Sequence, residues 1–269
     1  MRKLAAAATV LFAHFCQGQQ FFDGTFLDSQ WTASKLVDTT PSADALVSGL
    51  RGSGGMPGDC RLVVHNWQVV PAGVSILFGH IKSSLPHSAG ALGSTASLEI
   101  SFDAACNSAP HVNAIGFGPV LFQGSKRFTV PGVAALAGGP WVHYSGTIRR
   151  TDWVQIGGSD KPDFSAGADP VFLGFYSGNG GSGIDARLTA SGRVDNFLVR
   201  YIPACPADLN GDGLVEDTDF TIFVAAYNIL DCADPSMPAN CPADFNSDGF
   251  VDDADFLVFV QAYNELLCP

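Results

Sequence analysis

Basic residues are missing from the last quarter of this chain: residues 205–269 hold 13 Asp or Glu and no Lys or Arg. The whole 269-residue chain has 26 acidic and 14 basic residues, so the part before residue 205 is nearly neutral, with 13 acids against 14 bases. The net formal charge of −12 argues against nucleic acid or an anionic membrane as partner. Charge of either sign is scarce, at 15%, while 46% of residues are hydrophobic, and this composition excludes general disorder. So uneven a split marks two modules, and the acidic one needs bound cations to offset its own repulsion.

Long apolar runs are lacking as well. No segment reaches the eighteen or so unbroken apolar residues a membrane span requires. Arg2 and Lys3 precede the apolar stretch 4–13, and Cys16-Gln17-Gly18 follows with small residues at −3 and −1. Residues 1–18 thus have the tripartite form of a secretory signal cleaved near Gly18, which places the protein outside the cell, secreted or attached to a surface. The competing reading is a buried N-terminal helix. A lipid anchor on Cys16 is disfavoured because Phe15 stands where a small residue is needed. Six cysteines remain, Cys60, Cys106, Cys205, Cys232, Cys241 and Cys268, an even number that reads as up to three disulfides in an exported protein. Cys60 with Cys106 is the pair expected in the first module.

Helical periodicity is absent from residues 20–203. Short apolar segments recur instead, broken by Gly, Pro, Ser and Asn. Residues 97–103 alternate cleanly, so that Leu98, Ile100 and Phe102 face a core and Glu99 faces water. Further strands are expected at 61–70, 74–81, 112–117, 119–123, 127–130, 141–149, 171–176 and 193–201, with a hairpin turn at Gln123-Gly124-Ser125-Lys126. Strands so spaced make residues 19–203 a β-sandwich, a jelly roll of two packed sheets.

Chemistry-bearing motifs are sparse in this part. Glycoside hydrolysis needs two carboxyl groups across the scissile bond, yet Glu99 is the single Glu before residue 205. The E-x-D-x-x-E strand of laminarinase-like sandwich enzymes is not matched there. His65, His80, His87, His111 and His143 show no H-x-x-x-H spacing, and no G-x-S-x-G elbow occurs. The residues therefore point away from an enzyme. Trp67, Trp141 and Trp153 are candidates for a sugar-stacking face, against the plainer reading of core side chains. The opening Phe21-Phe22-Asp23-Gly24-Thr25-Phe26 with Trp31, the glycine run 52–58 and the closing Val194-Asp195-Asn196-Phe197 resemble secreted bacterial sandwiches of the concanavalin-like or galactose-binding-like kind. That resemblance implies carbohydrate binding, and a structural calcium ion between Asp23 and Asp195.

The last quarter is a repeat. Residues 205–232 and 241–268 match at 18 of 28 positions with a period of 36. Each copy opens with D-x-N-x-D-G, the start of a calcium loop whose alternate oxygens point inward and whose sixth residue is the glycine of a sharp bend. The ligands of the first loop are Asp208, Asn210, Asp212, the Leu214 carbonyl, Glu216 and Asp219. Those of the second are Asp244, Asn246, Asp248, the Phe250 carbonyl, Asp252 and Asp255. Two calcium ions are expected. After each loop runs an amphipathic helix, with Phe220, Phe223, Val224 and Tyr227 on one stripe and Phe256, Phe259, Val260 and Tyr263 on the other. The stripes should pack together.

Loop position 12 is Asp, and a Cys-Pro-Ala rather than a helix precedes each loop. In both respects residues 204–269 resemble the dockerin module, a duplicated EF-hand-type loop followed by one helix. The resemblance implies a small α module that anchors its carrier to a cohesin-like or other surface protein, in a setting of polysaccharide degradation. It departs from the pattern in lacking a basic pair at positions 17 and 18, where Val224-Ala225 and Val260-Gln261 stand, and in having extra cysteines. Positions 10 and 11 are Asp217-Thr218 and Asp253-Ala254. A helix of about 13 residues rises ~20 Å, while bridged Cα atoms lie within about 7 Å. With antiparallel helices, this favours Cys205–Cys268 and Cys232–Cys241 over pairing within each copy. The expected whole is a mainly β jelly roll followed by a small α dockerin-like domain. An extracellular glycan-degrading enzyme and a structural surface protein are the alternatives.

Overall fold

The computed structural model describes residues 20–84, 86–89, 97–165, 167–202, 206–210, 214–238, 241–246 and 248–265. The expected signal segment, Asp212, Cys205 and Cys268 lie outside them. Thirteen strands are described: β1 (Gln20–Asp23), β2 (Trp31–Asp38), β3 (Leu46–Gly55), β4 (Gly58–Val69), β5 (Val74–Lys82), β6 (Ser97–Ser108), β7 (Ala114–Gln123), β8 (Lys126–Thr129), β9 (Val133–Leu136), β10 (Val142–Arg149), β11 (Val154–Gln155), β12 (Val171–Gly181) and β13 (Ala186–Ile202). Helices α1 (Asp217–Tyr227) and α2 (Asp253–Glu265) follow.

The strands form the two sheets of a β-sandwich. One sheet runs β10-β6-β13-β4-β3, with β1 also on β13; the other runs β11-β8-β7-β12-β5-β2, with β9 also on β7. Every named pair is antiparallel, and the chain passes from one sheet to the other between β1 and β2, β2 and β3, β4 and β5, β5 and β6, β6 and β7, β9 and β10, β10 and β11, and β12 and β13. The alternation read in residues 97–103 holds, since Leu98, Ile100 and Phe102 are each 0% exposed. The turn at Gly124-Ser125 joins β7 to β8, with Gln123 opposite Lys126 and Gly124 at φ +52°. Phe175 of β12 lies at the centre of the core, its ring centroid 5.8–6.5 Å from those of Trp31, Phe102, Phe117 and Phe197.

Cys60 and Cys106 are two buried free thiols, not the expected disulfide. Cys60 is on β4 and Cys106 on β6, and β13 pairs with both strands and lies between them. Two strand spacings put about 10 Å between such positions, beyond the reach of an S–S bond. Burial raises both thiols above their ordinary pKa.

In the repeat, Phe223 and Phe259 are each 1% exposed and stack at 5.0 Å. Phe220 packs on Phe259 at 6.0 Å, and Phe256 on Phe223 at 5.8 Å, so the stripes meet reciprocally. The same reciprocity appears at the helix starts. The Tyr227 hydroxyl donates to Asp253 at 2.6 Å and the Tyr263 hydroxyl to Asp217. Cys232 and Cys241 form a disulfide, one of the two cross-copy pairs expected.

Candidate functional site

Along β12, glycines recur on the face turned away from the core. Phe175, Ser177 and Asn179 point inward; Gly174, Tyr176, Gly178 and Gly180 form the other face. On this outer face lies a groove of about 500 Å³ crossing β2, β5, β7 and β12. Its lining includes Leu77, Val112, Gly116, Tyr176, Gly178, Asn179 and Gly180, and among the described residues contains no charged side chain. The missing side chains let the remaining ones lie flat. A Cβ on Gly118 would come within 2.5–2.6 Å of the Tyr176 ring and hydroxyl, and one on Gly178 within 2.7 Å of Leu77. Tyr176 therefore rests with one side of its ring on the backbone of β7. It also joins the groove to an outer apolar patch of Ile81, Val120, Phe122, Leu36 and Phe172. Arg127 covers the Phe122 ring at 4.1 Å.

The tryptophans proposed for stacking are elsewhere. Trp67 and Trp153 are 0% exposed core residues. Trp141 is half-buried beside the Arg193 guanidinium, 5.5 Å from its ring centroid, and is not part of the groove. Sequence reasoning missed Tyr176. The local sequence shows a tyrosine flanked by glycines at two-residue steps, but not its neighbour Gly118 on β7.

Behind the groove floor runs a sealed polar file. Asn179 donates from Nδ2 to the Ala114 carbonyl at 2.7 Å, which turns its Oδ1 toward His65 Nδ1 at 2.5 Å. His65 Nδ1 must then carry the proton, so Nε2 accepts from the Ser177 hydroxyl at 2.8 Å. Ser177 in turn accepts from His80 Nε2 at 2.9 Å. His80 Nδ1 is left as a bare acceptor with no hydrogen-bond partner among the described residues. It faces the buried Arg61 guanidinium, which is paired with Asp28 at 3.0 Å. His65, His80 and Ser177 are all 0% exposed. A serine between two histidines would suggest a nucleophile, but no substrate reaches this one. Burial drives the pKa of His65 down to about 4, against the raising effect of Asn179. Burial also lowers that of His80, helped by the fields of His65 and Arg61.

Gly49 closes this file from β3. A Cβ there would stand 2.9 Å from both His80 Nδ1 and Arg61 Nη2. Gly49→Ala is expected to cost about 1–3 kcal/mol, measured by equilibrium unfolding. A neutral result would show that the ring and the guanidinium can move aside.

Asp23 and Asp195, expected to share a calcium ion, are buried at 3% and 1% exposure, each held by donors of the chain itself. Asp23 accepts from Thr25, Phe26, the Trp31 indole at 2.9 Å and the Lys82 ammonium at 2.5 Å. Burial opposes its ionisation, but Lys82, Trp31 and the two backbone N–H groups together hold it down to about 2. Asp195 accepts the Met56 and Asn196 N–H groups and so pins the glycine-rich β3–β4 hairpin.

The loops of the repeat are organised around their twelfth residues. Asp219 accepts from Asn210 N at 2.9 Å and Glu216 N at 3.1 Å. Asp255 accepts from Phe245 N at 2.7 Å, Asn246 N at 3.2 Å and Asp252 N at 3.0 Å. Both are 0% exposed, in a region without a single Lys or Arg. Asp244 receives the N–H groups of Asp248 and Gly249, and Asn246 and Asp248 each accept the N–H two residues on. Gly249, the sixth position, has φ +94°, where a side chain would be strained. Asp208, Asn210, Leu214 and Glu216 sit at the corresponding places of the first loop. The donors are all oxygens, with two buried carboxylates that have no basic side chain in the module to pair with. By donor type that set fits a hard divalent cation such as calcium, while among the described residues the trio of ligand-type side chains brought within 4.8 Å of one another is Cys232, Cys241 and Asp244, not three carboxylates of one loop.

No protein-family model matches the chain, and no curated protein does. Among solved structures, the chain is similar to the family 11 carbohydrate-binding module of a cellulosomal cellulase of Clostridium thermocellum. The identity is 15% over 68% of this chain and 94% of that one, with a TM-score of 0.39. It is also similar to the CBM22-1 xylan-binding domain from Paenibacillus barcinonensis, at 12% identity over 70% and 97% of the two chains, with a TM-score of 0.36. Among the described residues no helix is long and apolar enough to cross a membrane.

Proposed function

We propose that the sandwich binds an uncharged polysaccharide in the outer-face groove, and that the repeat is a calcium-dependent dockerin-like module anchoring the exported protein to a cohesin-like or other surface partner. The observation that carries the first half is Tyr176 lying flat on Gly118 beside a glycine floor free of charge. A pyranose presents an apolar C–H face that an aromatic ring can cover, and an uncharged floor leaves a neutral sugar chain undisturbed. The second half is supported by the paired loops with buried twelfth-position carboxylates. On the anchoring face, positions 10 of the two copies, Asp217 and Asp253, are held by tyrosines of the opposite copy. A partner would therefore meet a fixed, two-fold related, acidic surface.

Affinity electrophoresis in gels containing neutral or uronic-acid polysaccharides tests the sandwich. Retention by a neutral polysaccharide is expected, and Tyr176→Ala should weaken it about tenfold or more, the loss of one stacking contact of roughly 1–2 kcal/mol. Retardation unchanged in Tyr176→Ala, with native tryptophan emission, would remove the groove from the proposal.

A further inference from the structure

The second loop is stitched to the end of α1. Asp231 forms an antiparallel bridge with Phe250, Val251 N–H donates to the Leu230 carbonyl at 2.8 Å, and Cys232 N–H donates to the Gly249 carbonyl at 3.0 Å. The Cys232–Cys241 disulfide closes this junction, with Cα atoms 5.4 Å apart. Both cysteines touch the loop's first position. The Cys241 carbonyl accepts Asp244 N–H at 3.1 Å, and Cys232 Sγ lies 3.6 Å from Asp244 Oδ2. That same Oδ2 accepts Gly249 N–H at 3.0 Å. The bridge therefore grips the loop at position 1 through Cys241 and at position 6 through Cys232.

We infer that the Cys232–Cys241 disulfide is a positioning element of the second calcium loop, so that calcium affinity there is coupled to the oxidation state of this pair. The inference rests on the calcium reading above and goes beyond it. Gathering Asp244, Asp248, Asp252 and Asp255 around one point is unfavourable without the ion, and a loop already held in shape needs less of the binding energy for that ordering. Cutting the bridge returns chain entropy to the empty loop. Coupling is reciprocal: whatever oxidation does for calcium affinity, calcium must do for the disulfide.

The wild-type chain tests this without mutation. Dithiothreitol reduces the bridge by giving up two electrons and two protons to Cys232 and Cys241, becoming its own cyclic disulfide. The extent of reduction at these two residues is read by alkylation and peptide mass after equilibration with calcium or with chelator. Calcium should lower the reduction equilibrium constant about tenfold, equivalent to ~1.4 kcal/mol, and Asp244→Asn should remove the protection. By calorimetric titration, the Cys232→Ser/Cys241→Ser chain should hold one calcium ion about tenfold more weakly than the wild type. Should that variant fail to fold, the wild-type reduction equilibrium decides alone. A reduction equilibrium indifferent to calcium, in a chain that binds two calcium ions, overturns the inference and leaves the calcium reading intact. A wild-type chain that binds no calcium overturns the reading itself, and the inference with it.

Discussion

Taking the protein from pH 7 to pH 4 is expected to remove about 3 kcal/mol of sandwich stability through His65 alone. Its folded pKa of about 4 lies some 2.5 units below the ordinary value of 6.5, and each unit is worth 1.36 kcal/mol. The folded state keeps His65 neutral, while the unfolded state takes up a proton as the pH falls below 6.5. Stability is therefore fully present above pH 6.5 and lost progressively between 6.5 and about 4. His80, lowered for the same reason and repelled in its charged form by Arg61, adds in the same direction. Asp23 belongs to a different window: its pKa of about 2 lies below the ordinary carboxylate value, so its contribution is lost only as the pH falls from about 4 toward 2. All four tryptophans, at positions 31, 67, 141 and 153, precede the repeat, so their emission follows the sandwich even in the full chain. Urea titrations at pH 7, 5.5 and 4 should show the midpoint falling throughout this range, and more shallowly in His65→Gln, which starts less stable. A midpoint unchanged between pH 7 and 4 would contradict the neutral, singly ordered proton chain from Asn179 to His80.

The local sequence announced most of the sandwich wherever one face is buried and the other wet. β6 shows it best, with its strict alternation through Phe102. β7 was expected as two strands because Gly118-Pro119 reads as a break. It is one strand: Pro119 lies between the stretches paired by β9 (residues 114–117) and β8 (residues 120–123), so a residue without an N–H interrupts no ladder on that side. β3 escaped notice because four of its ten residues are glycine, and its extended form comes from pairing with β4 rather than from propensity. The Cys60–Cys106 expectation failed on a long-range fact, that the returning β13 slips between their strands. The groove escaped for the same reason. Tyr176 becomes a flat platform only because Gly118, far away in the chain, is its neighbour on β7, and no local pattern records that adjacency. The loop pattern of the repeat was legible because it is local: twelve consecutive residues carry the candidate oxygen donors, the glycine bend and the buried Asp that accepts the loop's N–H groups.

Chelating calcium is expected to destabilise the repeat by about 5 kcal/mol, the largest single effect in the molecule. Each ion bound only by the folded form adds about 2.7 kcal/mol at a hundredfold excess over its Kd, and two loops double this. The opposing terms are visible in the residues. Thirteen acids share 65 residues without a base, and Asp219 and Asp255 are wholly buried. The core available to resist the repulsion is small: the Phe223–Phe259 stack with Ala207, Val215, Ala226, Met237, Ala243 and Val251. The Cys232–Cys241 bridge should leave a compact remnant, so helicity from α1 and α2 falls without vanishing. Magnesium should restore little, since it demands a stricter octahedron than a flexible aspartate loop offers. The two loops should differ, because the ninth position is Glu216 in one and Asp252 in the other. Glu216 already accepts a hydrogen bond from Thr218 at 3.2 Å, while Asp252 accepts the Ala254 N–H at 2.8 Å. Circular dichroism and calorimetry during calcium titration of chelated protein would measure all of this, with Asp219→Asn and Asp255→Asn each removing one site. If helicity and the melting temperature of the repeat stay the same with and without calcium, the buried carboxylates must be held by the chain alone, and the calcium reading of these loops fails.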